Sequence, residues 1–116
     1  MDNDCLFCRI VAGEIPATVV HETDTTLAFR DIDPKAPVHV LVISKDHHTD
    51  VVALAHADPK VAADVLAAAA AVAVAEGLRD DGFRLIFNNG RWAGQEVFHA
   101  HGHVVGGAPL GLMLAR

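Results

Sequence analysis

The chain has 116 residues, of which 52% are hydrophobic, and this length and composition suit one domain with a single core. Its formal net charge of −6, without a basic stripe, argues against a nucleic-acid backbone as ligand but is compatible with a small phosphorylated metabolite. The longest apolar run, residues 65–75, has 11 residues and is too short to cross a bilayer, and the acidic N-terminus lacks a signal-peptide pattern. We therefore expect a single domain over residues 1–116, in the cytoplasm and with no membrane partner.

The first part of the chain predicts a short helix followed by a hairpin. Residues 5–12 have a helical apolar spacing, and Gly13 is a suitable C-terminal stop. Two segments rich in β-formers follow at 18–22 and 25–30, although the residues between them lack the glycine of the strongest turn signals. A loop with two prolines then leads to a third strand, predicted over 38–43.

The second part of the chain predicts one long helix and two more strands. Asp58 is a suitable N-cap for an alanine-rich helix over 58–76, and Gly77 stands just past its end. Further strands are predicted at 83–88 and 97–105. The sequence thus predicts an α+β fold, in which a five-stranded antiparallel sheet carries one long helix and one short N-terminal helix.

Both cysteines lie in one C-x-x-C motif, Cys5 and Cys8. In a reducing compartment this spacing indicates a redox dithiol, half of a zinc site, or two buried apolar thiols. A redox motif should follow a strand, and no strand is predicted before Cys5. Zinc is therefore favoured, and it requires two further ligands from histidines elsewhere in the chain.

Three histidines alternate in the last predicted strand, at His99, His101 and His103. Successive side chains of a strand point to opposite faces, so these three imidazoles are expected on one face, about 7 Å apart. One imidazole can act as a covalent nucleophile, or two can bind a catalytic metal. The covalent mechanism is favoured, because no H-E-x-x-H motif or clustered acid lies nearby.

The loop before that strand, residues 88–95, contains two glycines and the side-chain amides of Asn88 and Gln95. Its backbone can come close to a ligand and present N–H groups to an anion. The loop is not a P-loop, because no Gly-Lys-Ser/Thr follows. Trp92, which lies in this loop, is expected either to cap the pocket or to fill a dimer edge.

These motifs together resemble the histidine-triad (HIT) family. The strand fits its H-φ-H-φ-H-φ-φ signature, although Ala100 and Gly102 are small for φ positions. The ending 104–107 resembles the Hint branch, the nucleoside phosphoramidate hydrolases, more than the dinucleoside polyphosphate hydrolases. Other segments agree in order, at 5–10, 13–16, 29–32, 38–43 and 88–107.

The resemblance implies a homodimer that binds purine nucleotides, as AMP or GMP conjugates, and hydrolyses them through a nucleotidyl-histidine. His101 would attack the α-phosphorus, and His103 would contact the phosphate. The main-chain carbonyl of His99 would orient the nucleophilic ring, and His39 would stand behind the triad. No cofactor would be required for catalysis.

The resemblance also implies the nucleotide-binding residues. Asp31 would accept hydrogen bonds from the ribose hydroxyls. The base pocket and the phosphate and leaving-group contacts, together with His101 and His103, would be formed by Leu6, Phe7, Ile10, Phe29, Ile32, Asn88, Gly94, Gln95, Glu96 and Val97.

Some family members with a C-x-x-C motif bind a structural zinc. By position the ligands here would be Cys5, Cys8, His47 and His99, with His48 as the adjacent alternative to His47.

The chain also departs from the family pattern. Glu96 stands where eukaryotic Hint proteins have a serine thought to assist the leaving amine, and strict alternation would turn it away from the histidines unless the chain bends. The tail, 108–116, lacks the Trp-Pro-Pro-Gly ending of that branch. Two alternative functions therefore remain: a dinucleoside polyphosphate hydrolase, and a zinc- and nucleotide-binding regulatory protein with little turnover.

Overall fold

The computed structural model describes residues 4–114, so the first three residues of the acidic N-terminus and the last two of the tail lie outside it. No helix within 4–114 is long and apolar enough to cross a membrane. The elements in chain order are α1 (Leu6–Val11), β1 (Val19–Glu22), β2 (Thr26–Arg30), β3 (Val38–Ser44), α2 (Val51–Ala57), α3 (Pro59–Ala75), β4 (Phe83–Ile86), a 3₁₀ turn (Arg91–Ala93) and β5 (His101–Gly106).

The strands form one antiparallel sheet in the order β1-β2-β3-β5-β4, which confirms the predicted α+β architecture. The long helix is also confirmed, since Asp58 Oδ1 accepts a hydrogen bond from the N–H of Val61 and Gly77 follows with φ +73°. The helix α2 is not predicted from the sequence. It begins where Asp50 Oδ1 accepts from the N–H of Ala53.

The two faces of the sheet bury different residues. Val40 and Val42 of β3 point towards α3 and pack in its core cluster. Leu41 and Ile43, the alternate residues, pack with Phe7 of α1 on the other face. In the register of β3 and β5, Leu41 lies opposite His103 and Ile43 lies opposite His101, so these two histidines share the face that carries α1.

The last strand begins later than predicted, which corrects the expectation that three histidines alternate along it. Residues 97–99 form a bend, and β5 begins at His101. The carbonyl of Ser44, just beyond the last pair of the ladder, accepts from the ring of His99, at 2.6 Å from Nε2. The N–H of Ala100 donates to the carbonyl of His48 at 2.7 Å. His99 therefore leaves the ladder and its ring joins a different cluster.

Candidate active site and metal cluster

A cavity of about 740 Å³ opens on the α1 face of the sheet. His39 of β3 and the pair His101 and His103 of β5 form part of its wall. Every residue that the family resemblance assigns to nucleotide binding also lines it: Leu6, Phe7, Ile10, Phe29, Asp31, Ile32, Asn88, Gly94, Gln95, Glu96 and Val97. Their exposure differs, because Phe7 is buried whereas the side chain of Ile32 is fully exposed at the rim.

The main chain fixes the orientation of the His101 ring. Its Nδ1 lies 2.7 Å from the carbonyl oxygen of His99, and a carbonyl can only accept, so Nδ1 carries the proton. In the neutral ring the lone pair is then on Nε2. The edge-to-face contact with Phe7, at 5.1 Å between ring centroids, packs the side of the imidazole. His101 thus has the tautomer required of a nucleophile.

A chain of two hydrogen bonds orients His103. The main-chain N–H of Lys35 donates to His39 Nδ1 at 3.0 Å, so the proton of His39 is on Nε2. This Nε2–H donates to His103 Nδ1 at 2.9 Å. The proton of His103 is therefore on Nε2, where it can be donated to a bound phosphoryl oxygen.

Burial keeps these rings neutral. Burial is the main cause that lowers the pKa of His103 to about 4, with a smaller contribution in the same direction from the nearby rings of His101 and His39. Burial also lowers the pKa of His39, against the opposing effect of the Asp31 carboxylate. At neutral pH His103 accordingly supplies a hydrogen-bond donor and not a positive charge.

Ligand-type atoms of Asp31, His39 and His103 lie within 4.8 Å of one another, a spacing that alone is compatible with a metal. The hydrogen bonds argue against one. A metal would take the lone pair of His39 Nε2 and move the proton to Nδ1, which faces the N–H of Lys35. We interpret this group as a hydrogen-bonded relay.

A second cluster of four residues suits a metal better. Nδ1 of His99 lies 3.3 Å from Cys5 Sγ, 3.4 Å from Cys8 Sγ and 3.3 Å from His47 Nδ1. His99 Nε2 donates to the Ser44 carbonyl, so its Nδ1 presents a lone pair to the cluster. Burial lowers the pKa of His99, which keeps the ring neutral as a ligand must be.

The donors of that cluster, two sulfurs and two imidazole nitrogens, are those of a structural zinc site, and they converge within 4.8 Å. The residues present therefore fit zinc. His47 is the histidine whose ring enters the cluster, at 3.4 Å from Cys8 Sγ, whereas its neighbour His48 contributes its main-chain carbonyl to Ala100.

The glycine-containing loop closes on itself, which corrects the expectation that its glycines present N–H groups to an anion. The N–H groups of Ala93 and Gln95 donate to the carbonyl of Gly90, and that of Gly94 donates to Arg91. Gln95 is buried, and its amide bonds the N–H of Gly90 and the carbonyls of Thr49 and Val97. Its side chain holds the loop in place.

The bend at 97–99 decides the position of two other residues. Glu96 lines the same cavity as the histidines, so the bend reverses the outward direction that strict alternation predicts. Trp92 lies in the 3₁₀ turn with 95% of its surface exposed and is not among the cavity-lining residues of the described chain. It therefore does not cap the pocket of its own chain.

Three cationic residues on the cavity wall, Arg30, Lys35 and Arg84, were not predicted as site residues from the sequence. The Arg30 guanidinium bonds the Glu76 carboxylate at 2.9 Å. Lys35 Nζ bonds Asp33 Oδ2 at 2.6 Å, and the Arg84 guanidinium bonds the carbonyls of Gly111 and Leu112 in the tail. The two prolines that flank Lys35 in the loop before β3 were the available signal for a rigid segment.

The chain is similar to known proteins along almost its whole length. A family model described as the HIT domain matches residues 12–110. The purine nucleoside phosphoramidase of Escherichia coli K12 is 41% identical over 116 residues, covering 100% of this chain and 98% of its own. A 14 kDa zinc-binding protein of Brassica juncea is 43% identical, covering 92% of this chain and 96% of its own.

Among solved structures, a HIT family hydrolase from Clostridium thermocellum superposes with a TM-score of 0.92. It is 39% identical, and the match covers 99% of this chain and 100% of that one. The similarity thus extends over the sheet, both helical layers and the histidine cavity. The chain belongs to the HIT family.

Proposed function

We propose that this protein is a hydrolase that cleaves purine nucleoside phosphoramidates through a nucleotidyl-histidine on His101. The observation that carries the proposal is the pair of opposed tautomers in one cavity: His101 with its lone pair on Nε2, and His103 with its proton there. One ring can attack phosphorus while the other donates to the phosphoryl oxygen. The name of the Escherichia coli relative supports phosphoramidates as substrates.

In the first step His101 Nε2 forms a bond to the α-phosphorus, and the phosphorus–nitrogen bond to the leaving amine breaks. The amine leaves with a proton taken up from solvent at the cavity mouth. The positive charge on His101 is shared with Nδ1–H, which donates to the His99 carbonyl. In the second step water attacks phosphorus and releases one proton to solvent, the bond to Nε2 breaks with its electron pair returning to the ring, and the nucleoside monophosphate leaves.

The cavity wall suggests how a nucleotide is held. Phe7 and Phe29 pack edge to face at 5.5 Å and form an apolar floor suited to a purine base. Asp31 Oδ1 already accepts from the N–H of Asp33, which fixes the carboxylate towards the ribose hydroxyls. His103 Nε2–H would then meet the phosphate.

Glu96 bears on the leaving group. An ionised carboxylate can only accept hydrogen bonds, whereas the serine that resemblance leads us to expect can also donate. With Glu96 in the cavity wall, we expect leaving amines that carry N–H donors or positive charge to be preferred.

We further propose that Cys5, Cys8, His47 and His99 hold one zinc ion. The ion would tie α1 to the segment before β5 and so stabilise the fold. No step of the reaction passes through it. The name of the Brassica juncea relative, a zinc-binding protein, supports this.

A homodimer is also proposed. Helix α3 is apolar on its outer face as well as on its inner one, and both Leu66 and Val74 are 58% exposed. A helix that is apolar all round is normally buried, and the edge strand β4 also leaves Phe83 and Ile86 partly exposed. A second copy of the chain would cover these surfaces.

The function is tested by measuring the release of AMP from an adenosine phosphoramidate. We expect turnover by the wild type, loss of at least about 1,000-fold in kcat for His101→Ala, and no change for His56→Ala, a remote exposed histidine. Faster turnover of a diadenosine polyphosphate would support that alternative function instead. AMP binding without turnover of either substrate would refute the proposal.

A further inference from the structure

We infer that the Cys5–Cys8–His47–His99 cluster is a positioning device for the nucleophile as well as a staple of the fold. The inference rests on the proposed nucleotidyl-histidine mechanism and concerns what keeps His101 in position. His99 connects the cluster to the nucleophile, because its ring belongs to the cluster and its main-chain carbonyl accepts the hydrogen bond of the His101 ring.

The geometry makes His99 a rigid link. The residue is fully buried, and both of its ring nitrogens are engaged. Nε2 donates to the Ser44 carbonyl at 2.6 Å, and Nδ1 faces the two sulfurs and His47 at 3.3 to 3.4 Å. Fixing the ring fixes the Cα, and through it the carbonyl that lies 2.7 Å from His101 Nδ1.

The backbone around His99 has little other support. Residues 97–99 lie outside the sheet, so the His99 carbonyl is not held by a ladder hydrogen bond to β3. The nearest main-chain anchor is the 2.7 Å bond from the N–H of Ala100 to the carbonyl of His48, the residue next to His47. The same short segment, 47–48, thus supplies a cluster ligand and the backbone anchor. We therefore expect a shift of segment 47–48 to move the His99 carbonyl as well.

Loss of the cluster would act on the tautomer of His101. If the His99 carbonyl moves, His101 Nδ1–H loses its acceptor, and the proton is no longer confined to Nδ1. Part of the population then carries the proton on Nε2, which removes the attacking lone pair. Nucleotide binding should change little, because His47 lies outside the nucleotide cavity and Phe7, the α1 residue on the cavity floor, is also held by its packing against Phe29.

His47→Ala is the most suitable variant, since this ligand is exposed and its truncation leaves the core intact. His48→Ala removes the neighbouring ring and keeps the main-chain carbonyl, so it is the matched control. His47→Cys restores a zinc ligand of a different shape and tests rescue. The double variant Cys8→Ser/His47→Ala, with two ligands left, serves if His47→Ala alone keeps its zinc.

Three quantities are measured for each variant: zinc per chain, kcat and KM for an adenosine phosphoramidate, and the solvent exchange of the His101 ring N–H by ¹⁵N nuclear magnetic resonance. We expect the zinc-free variant to lose about tenfold or more in kcat, with KM within about twofold, and to exchange the His101 ring proton faster. The control and the rescue variant should match the wild type in all three.

A zinc-free, folded variant with unchanged kcat and an equally protected His101 proton would overturn the inference. That result would leave the proposed function standing, since His101→Ala tests it separately. Conversely, if His101→Ala keeps its activity, the proposed function fails whatever the zinc content of the His47 variants. If kcat falls only because the variant unfolds, the chemical shifts of the whole nuclear magnetic resonance spectrum lose their dispersion.

Discussion

At the scale of single residues, main-chain groups assign the role of each histidine. The N–H of Lys35 sets the tautomer of His39, and through it that of His103. The carbonyl of His99 sets that of His101, and the carbonyl of Ser44 sets that of His99. Four similar side chains thus differ in tautomer because their backbone partners differ, and these tautomers suit the donor, nucleophile and metal-ligand roles that we propose for them.

The relay predicts different outcomes for two substitutions of His39. Glutamine has an oxygen that can accept from Lys35 N–H and a nitrogen that can donate to His103, whereas leucine has neither. We expect His39→Leu to lose at least about tenfold in kcat and His39→Gln to retain most of it. Steady-state kinetics on an adenosine phosphoramidate measure both, and equal losses would contradict the relay.

The low pKa of His103, about 4, predicts how stability depends on pH. The unfolded ring has a pKa of about 6.5, so between these values the unfolded state binds more protons and the free energy of unfolding falls as pH falls. Above pH 6.5 His103 contributes no slope. Urea unfolding from pH 7 to 4 should show a smaller decrease in the free energy of unfolding for His103→Gln than for the wild type. The slopes against pH should differ by the equivalent of up to about one bound proton. Equal slopes would contradict this.

At the scale of elements, β5 illustrates what the sequence predicts and what it cannot. The type and order of all five strands and of the long helix follow from local patterns. The start of β5 does not follow from a local pattern. The alternation of histidines includes His99, but in the structure the His99 ring binds the Ser44 carbonyl and lies beside the two cysteines, outside the ladder. Those partners are distant in the chain, so a local pattern cannot include them.

Two smaller differences also have local causes. The β1–β2 turn needs no glycine, because Thr23 Oγ1 accepts from the N–H groups of Thr25 and Thr26. Helix α2 was missed although Asp50 is an N-cap signal, since the seven residues that follow make a weak helical pattern.

The packing around Gly102 explains why this position of the histidine strand has no side chain. A Cβ built there would lie 2.8 Å from two atoms of the Phe87 ring and 3.1 Å from Leu85 Cδ1. We therefore expect Gly102→Ala to lower the free energy of unfolding by about 1–3 kcal/mol. Urea denaturation measures it. The double variant Gly102→Ala/Phe87→Leu should recover part of the loss, and additive losses would contradict the steric explanation.

For the whole molecule, the sequence predicts most residues of the cavity wall but not all of them. The resemblance to the family names the wall residues one by one, and the fold brings them together. Arg30, Lys35 and Arg84 were not predicted as site residues, because their cationic side chains belong to no catalytic or binding motif in the sequence. Which face of α3 stays uncovered is also a property of the assembled fold.

That uncovered face makes the proposed dimer testable. A charge on the outer side of α3 should prevent a second copy from packing there, so we expect Leu66→Glu to sediment as a monomer and to remain folded. Ala55→Glu, an equal change of charge on the exposed side of α2, is the control and should stay dimeric. A wild-type chain that sediments as a monomer at micromolar concentration would contradict the dimer.

The proposed mechanism requires a bond between His101 Nε2 and phosphorus. Brief reaction with an adenosine phosphoramidate, an alkaline quench that preserves phosphorus–nitrogen bonds to histidine, and mass spectrometry of the peptides would locate the adduct. We predict one adenylyl group on His101 in the wild type and none on that peptide in His101→Ala. An adduct on another residue, or full turnover by His101→Ala, would contradict this mechanism.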